Sequence, residues 1–227
     1  YGTAAALVFG ALFFPGASPM AQQLSAFATF AIAFIARPLG AALFGHFGDR
    51  LGRKTTLVAS LLIMGLSTTL IGVLPGFGVL GVVAPLLLCL LRFGQGIGLG
   101  GEWGGAALVA TENAPAHQRA WYGMFPQLGA PLGFLFANGG FLLLTHALSE
   151  EAFRDFGWRI PFLLSALLLL VGMYVRLRLE ESPVFRESLR HNVTAKLPLW
   201  QVFREHGLQV LQGSLGMVIC YALFYIS

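Results

Sequence analysis

An arginine, a glutamine and a glutamate (Arg92, Gln95 and Glu102) stand in the run Leu91-Arg-Phe-Gly-Gln-Gly-Ile-Gly-Leu-Gly-Gly-Glu-Trp-Gly-Gly-Ala106, which is otherwise apolar and glycine-rich. A desolvated guanidinium can hold a carboxylate through paired hydrogen bonds. A positioned carboxyl group can take up and release a proton. At 100° per residue, Arg92, Gln95, Leu99, Glu102 and Trp103 share one side of a helix. Gly94, Gly98, Gly101 and Gly105 share the other, a spacing of small residues that lets a neighbouring helix come close. Arg92 and Glu102 lie about 15 Å apart along such a helix and cannot pair within it. A second reading makes both residues structural, each satisfied by backbone or by another buried partner. Gly96, Gly98 and Gly101 also satisfy G-x-G-x-x-G, but a dinucleotide site needs a strand before them and a helix opening on them. Here they fall inside one apolar run.

The elements that must position these side chains are membrane helices. Of 227 residues, 56% are hydrophobic and only 11% charged, against about 25% charged in an average soluble domain. Charge in hydrocarbon is expensive, so a charged residue inside a span marks a function by default. The net charge of +4 suggests no nucleic-acid partner, because the basic residues cluster in particular loops. Cys89 and Cys220 lie in separate apolar stretches without His or Cys companions and read as small hydrophobes, so no metal and no cofactor is expected. Tyr1 opens directly into an apolar run, with no basic leader before it.

Residues 1–14 are too short to cross a bilayer core of about 30 Å; they read as the back half of a first span whose start lies before Tyr1. The second span covers 21–45 and contains Arg37 and Pro38; the alternative for Arg37 is snorkelling to the interface. A charged loop at 45–56 holds Asp49, Arg50, Arg53 and Lys54. The third span covers 57–74 and the fourth 85–110. The fifth covers 122–144, broken by Pro126 and Pro131, with Gln127 and Asn138 on one face. Trp158 and Arg159 sit at an interface before a sixth span that ends near Val175. Residues 176–206 form a long polar segment with a short surface helix over 183–190, and 207–227 form a seventh span. Ten of the fourteen Lys and Arg fall in the loops this pattern makes cytoplasmic, as the positive-inside rule requires.

The loop GHFGDRLGRKTT resembles the signature between the second and third helices of the major facilitator superfamily, with Phe47 and Gly48 departing from its usual Leu and Ala. Arg92-Phe-Gly-Gln-Gly resembles that superfamily's R-x-x-Q-G. The longer RFGQGIGLGGEWGGA, together with Arg37-Pro38, FPQLGAPLG and WRIPF, is similar to the metabolite:proton symporter family. The resemblance covers most of residues 20–190. It implies an all-α major-facilitator-type bundle: a six-helix half over 1–178, a central cytoplasmic loop over 179–206, and the first helix of a second half over 207–227. It also implies a multi-pass protein of a bacterial-type inner membrane that is not an enzyme. Such a protein works by alternating access against the C-terminal half of the same transporter. The family's substrates are mostly small organic anions, or zwitterions such as proline and betaine, moved with protons. Its first helix normally brings an acidic residue just before the position of Tyr1.

On this reading Arg92, Gln95, Gln127 and Asn138 bind substrate, Glu102 and Arg37 couple the proton, and Asp49, Arg50, Arg53 and Lys54 gate the inner side. Glu180-Glu181-Ser182-Pro183 resembles the P-E-S-P of sugar porters, which makes a sugar facilitator the runner-up. A non-transporting ligand sensor of the same fold is the third reading. Arg37 and Glu102 lie at similar depths and are expected to pair or to share a water-filled pocket.

Overall fold

The computed structural model describes residues 4–16, 18–178 and 198–226, and among them every long element is a helix. A short first helix, α1, joins a π turn at Ala5–Phe9 to an α turn at Gly10–Phe13. It is followed by α2 (Pro19–Leu51), α3 (Arg53–Val73), α4 (Val83–Glu112), α5 (Arg119–Ala147), α6 (Arg159–Arg178) and α7 (Pro198–Ile226). Five of these, α2 to α6, are long and apolar enough to cross a membrane. The expected surface helix over 183–190 and the cations Arg186, Arg190 and Lys196 lie outside the described residues. In α7 the backbone leaves helical geometry at His206.

The charged loop expected at 45–56 is not a loop. Ser18 caps α2, its Oγ accepting from the Ala21 N–H at 3.3 Å, and the helix then runs 33 residues to Leu51. A single residue, Gly52, separates it from α3, with φ of 100°. That left-handed conformation is open to glycine and strained for other residues. The whole connection is therefore one residue long, with Arg50 and Arg53 flanking it. Asp49 lies in the last turn of α2, and its side chain is outside the described set. The break expected in the fifth span is also absent, since α5 carries both Pro126 and Pro131 inside a continuous helix.

Helix α4 is gripped from two sides rather than one. A Cβ on Gly96 would fall on the Ala33 carbonyl and one on Gly100 on the Arg37 carbonyl, while one on Gly40 of α2 would fall on the Ile97 carbonyl. A Cβ on Gly98 would come within 2.7 Å of the Ser60 carbonyl of α3, and one on Gly94 within 2.5 Å of Ser67 Oγ. Of the four glycines assigned to one packing side, Gly94, Gly98 and Gly105 face α3 and Gly101 faces Phe44 of α2. Gly96 and Gly100 add a second seam. Gly98 and Gly100, two positions apart, lie roughly 200° apart around the helix. The arc between the seams is the one that bears Arg92, Gln95, Leu99, Glu102 and Trp103.

Helices α3 and α6 form a second close pair. Leu169 of α6 fills the space over Gly65, and Phe162 that over Gly72. Thr69 and Ser165 exchange a hydroxyl hydrogen bond at 3.3 Å. At one end Arg159 donates to the carbonyls of Gly72 and Leu74 at 2.8 and 2.9 Å, capping the C-terminus of α3. At the other, Lys54 donates to the Leu177 carbonyl at 2.7 Å. Trp158, just before α6, is fully buried within the protein. Its ring meets Phe9 edge-on at 5.4 Å and Phe162 at 5.9 Å between centroids. Phe13, Phe141 and Phe153 belong to the same apolar cluster, which also takes in Ala26 of α2, Ile71 of α3 and Leu88 of α4 and so ties α1 to α6 together at the end remote from Gly52.

Candidate functional site

The site is built on α4. Arg92 is buried, two turns into the helix, with its guanidinium 5.1 Å from the centre of the Phe30 ring of α2. Its Nη1 donates to Gln95 Oε1, and Gln95 Nε2 donates to Thr68 Oγ1 of α3 at 2.6 Å. Thr68 passes the chain on to the Met64 carbonyl at 2.7 Å. An amide acceptor is neutral and a substrate carboxylate is charged, and charge-assisted bonds are about twice as strong. A carboxylate reaching this point could therefore displace Gln95 from Arg92.

Lower on the same arc, Trp103 Nε1 donates to Gln127 Oε1 of α5 at 3.3 Å, so one expected substrate residue is joined to the α4 polar face. Asn138, on the same face of α5 as Gln127, donates its amide to the Phe134 carbonyl of its own helix at 2.9 Å.

Glu102 and Arg37 do not pair. Glu102 Oε1 is held by Arg176 Nη2 in the last turn of α6, and Arg176 Nη1 donates to the Leu57 carbonyl of α3. Arg37 instead lies over Phe34, its guanidinium carbon 4.1 Å from the ring centre, and among the described residues it makes no ion pair. The reason is angular. Arg37 is level with Gly100, whose missing side chain makes room for its carbonyl. Glu102, two residues further, points about 200° away, toward α6 rather than α2. The second oxygen of Glu102, Oε2, is buried and has no hydrogen-bond partner among the described residues.

At the Gly52 end, Arg53 Nε lies 3.7 Å from Glu112 Oε2, linking the start of α3 to the end of α4. Sequence reasoning passed over Glu112 and Arg176, the two acid-base partners here. Arg176 carries the same signal as any cation near the end of a span, and Glu112 lies just past the expected end of the fourth span at residue 110. A shallow cavity of about 200 Å³, lined by Leu7, Thr145, Leu148, Glu150, Phe153 and Arg154, lies at the far end and contains none of the expected site residues.

Five long apolar helices that enclose arginine, glutamine and glutamate side chains place this chain among multi-pass membrane proteins. A profile of the family described as sugar (and other) transporter matches residues 4–199. The chain belongs to that family of the major facilitator superfamily.

It is 58% identical over 226 residues to the inner membrane metabolite transport protein YhjE of Escherichia coli, covering all of this chain and 51% of that protein. To the shikimate transporter of Escherichia coli it is 46% identical over 91% of this chain and 48% of that one. A proline/betaine transporter of Salmonella typhimurium is 40% identical over 81% of this chain and 37% of its own length. The chain spans about half the length of the relatives to which it is most similar in sequence. In fold it resembles the proton:xylose symporter XylE bound to 6-bromo-6-deoxy-D-glucose, with a TM-score of 0.70 and 21% identity over 82% of this chain and 43% of that one. The inward-open form of XylE from E. coli gives 0.68 and 19% identity over 95% of this chain and 53% of that one.

Proposed function

We propose that this chain is the N-terminal part of a transporter that moves a small organic anion or zwitterion together with protons across a bacterial inner membrane. It works by alternating access against a second half. The observation that carries the reading is the Arg92–Gln95–Thr68 chain inside α4 and α3, a cation satisfied by a neutral amide where a substrate carboxylate would bind more strongly. Shikimate, proline and betaine, named for two of the relatives, all bear a carboxylate, which supports the same class for this chain. Gln127 and Asn138 contribute polar contacts from α5, and Glu102 carries the proton with Arg37 in support. Asp49, Arg50, Arg53 and Lys54 gate the cytoplasmic side, where the Arg53–Glu112 contact supplies a bond that can open and close.

Uptake by the full-length protein in proteoliposomes, with shikimate, proline, glycine betaine and xylose as probes and with or without a pH gradient, tests the reading. It expects accumulation of a carboxylate-bearing probe that rises with the gradient. Arg92→Ala should abolish binding of that probe, and Arg92→Lys should recover part of it, because an ammonium lacks the paired donors. Xylose uptake indifferent to the gradient would establish the sugar facilitator instead. Binding without flux would establish a sensor.

A further inference from the structure

We propose that Arg176 is the positioning residue of the coupling site: it fixes one oxygen of Glu102 and leaves the other, Oε2, as the atom that takes the proton. The inference rests on Glu102 as proton carrier and adds the device that links its protonation to helix movement. One guanidinium has two arms here, Nη2 on Glu102 of α4 and Nη1 on the Leu57 carbonyl of α3. Arg176 therefore joins the α3–α6 pair to α4. The side chains of both Arg176 and Glu102 are largely covered, at 15% and 22% exposure, and Oε2 is enclosed without a donor among the described residues.

Among the described residues, several other charged groups on the surrounding helices are engaged elsewhere. Arg53 meets Glu112, Lys54 the Leu177 carbonyl, Arg178 the Tyr174 ring and Arg37 the Phe34 ring. On α2, His46 lies against Phe47 and Arg50 is exposed in the last turn. Helix α5 carries its titratable groups, Arg119, Tyr122 and His146, near its two ends.

The step is a proton transfer with no other bond made or broken. A hydronium ion gives up the proton: one of its O–H bonds breaks and leaves neutral water, an O–H bond forms at Oε2, the carboxylate becomes neutral, and Arg176 keeps its charge. Arg176 then loses its anionic acceptor on α4 but keeps the carbonyl on α3. Protonation weakens the tie to one helix and leaves the tie to the other, so α4 is loosened from α6 while it stays packed on α3 through Gly94, Gly98 and Gly105. A charge-assisted pair is the strong form of such a tie and a neutral one the weak form.

Two measurements on the full-length protein test this. In the first, E102Q, R176Q and the double variant are compared by melting temperature in detergent; contact between the two groups predicts that the double variant loses no more than the worse single one. In the second, proteoliposomes are assayed with whichever of shikimate, proline or glycine betaine the wild type takes up. R176Q should lower pH-driven uptake about tenfold while substrate counterflow stays within about threefold, and R176K should restore most of the driven uptake.

Additive melting shifts, intact driven uptake in R176Q, or equal loss of counterflow and driven uptake at normal expression would each overturn the proposal. The absence of pH-driven uptake of any probe by the wild type would remove the proton reading itself. The melting-temperature cycle would still report whether the pair exists.

Discussion

The joint between α2 and α4 and the joint between α3 and α6 are both close helix contacts, but they are held by different physics. Along α2–α4 the contact is backbone on backbone. Gly40, Gly96 and Gly100 leave no side chain between the helices, and carbonyl oxygens sit where their Cβ atoms would be. Along α3–α6 the contact is made by side chains and is bonded at both ends, by Arg159 to Gly72 and Leu74 and by Lys54 to Leu177. In a bilayer, where apolar burial between helices drives little, close packing and interhelical hydrogen bonds are the available forces. The first joint rests on close packing, with the Arg92 guanidinium over the Phe30 ring beside it, and leaves no room for an added atom at those glycines. The second uses directional bonds and can lose one of them and survive. Within the described residues, Arg176 reaches from α6 of the bonded pair to the glycine-packed helix, while Arg53–Glu112 and Thr68–Gln95 reach it from α3.

The largest test of that contrast is Gly100→Val. Its branched side chain would have to enter the Arg37 carbonyl, and rigid backbone cannot step aside as a flexible side chain can. A loss of about 3 kcal/mol or more is expected, seen as a collapse of monodisperse protein in detergent. A well-behaved variant would mean that the two helices are not truly in backbone contact. Arg159→Ala comes next. It removes two charge-assisted bonds and leaves two carbonyls at the end of α3 without that donor, an expected loss of about 2 kcal/mol in chemical denaturation, with Arg159→Lys recovering part. Lys54→Met should have the smallest effect, about 0.5–1 kcal/mol, because it removes one bond from an exposed position. A loss as large as that of Gly100→Val would erase the distinction between the two joints.

Much of the architecture is legible in the sequence because hydrocarbon leaves few choices. Apolar runs of sufficient length must be helices, and the turn at Gly52 announces itself through glycine and charge. Orientation around a helix axis is less legible. The arc that carries Arg92, Gln95 and Glu102 follows from the spacing of 100° per residue, yet which neighbour each residue faces depends on where α2, α3 and α6 stand. Depth alone favoured Arg37 as the partner of Glu102, and rotation sends Glu102 to Arg176 instead. Arg176 is hard to single out because the rule that places cations at the inner ends of spans already accounts for it. The burial of Trp158 is not legible from its own stretch, because it depends in part on Phe9, 149 positions away. Gly96 and Gly100 were visible as glycines, but only a second helix turns them into a seam.

The length of α2 has a consequence when measured against a lipid bilayer. Thirty-three residues make a helix of about 50 Å, while the hydrocarbon layer is about 30 Å thick. With Pro19 set at one face of that layer, Arg37 lies about 27 Å down the helix, just inside the opposite face. The remaining turns, with Arg50, extend into the headgroups. Glu102, level with that part of α2 through the contact of Gly100 with Arg37, shares the same shallow position. The two sides of the membrane are then unequal distances from it: on the proposal that Glu102 carries the proton, the path toward the Gly52 end is a few ångströms and the path from the other face nearly the whole thickness of the layer. The long path is the one that a second half of the transporter would have to line with water or polar groups. The short one needs only the parting of α4 from α6.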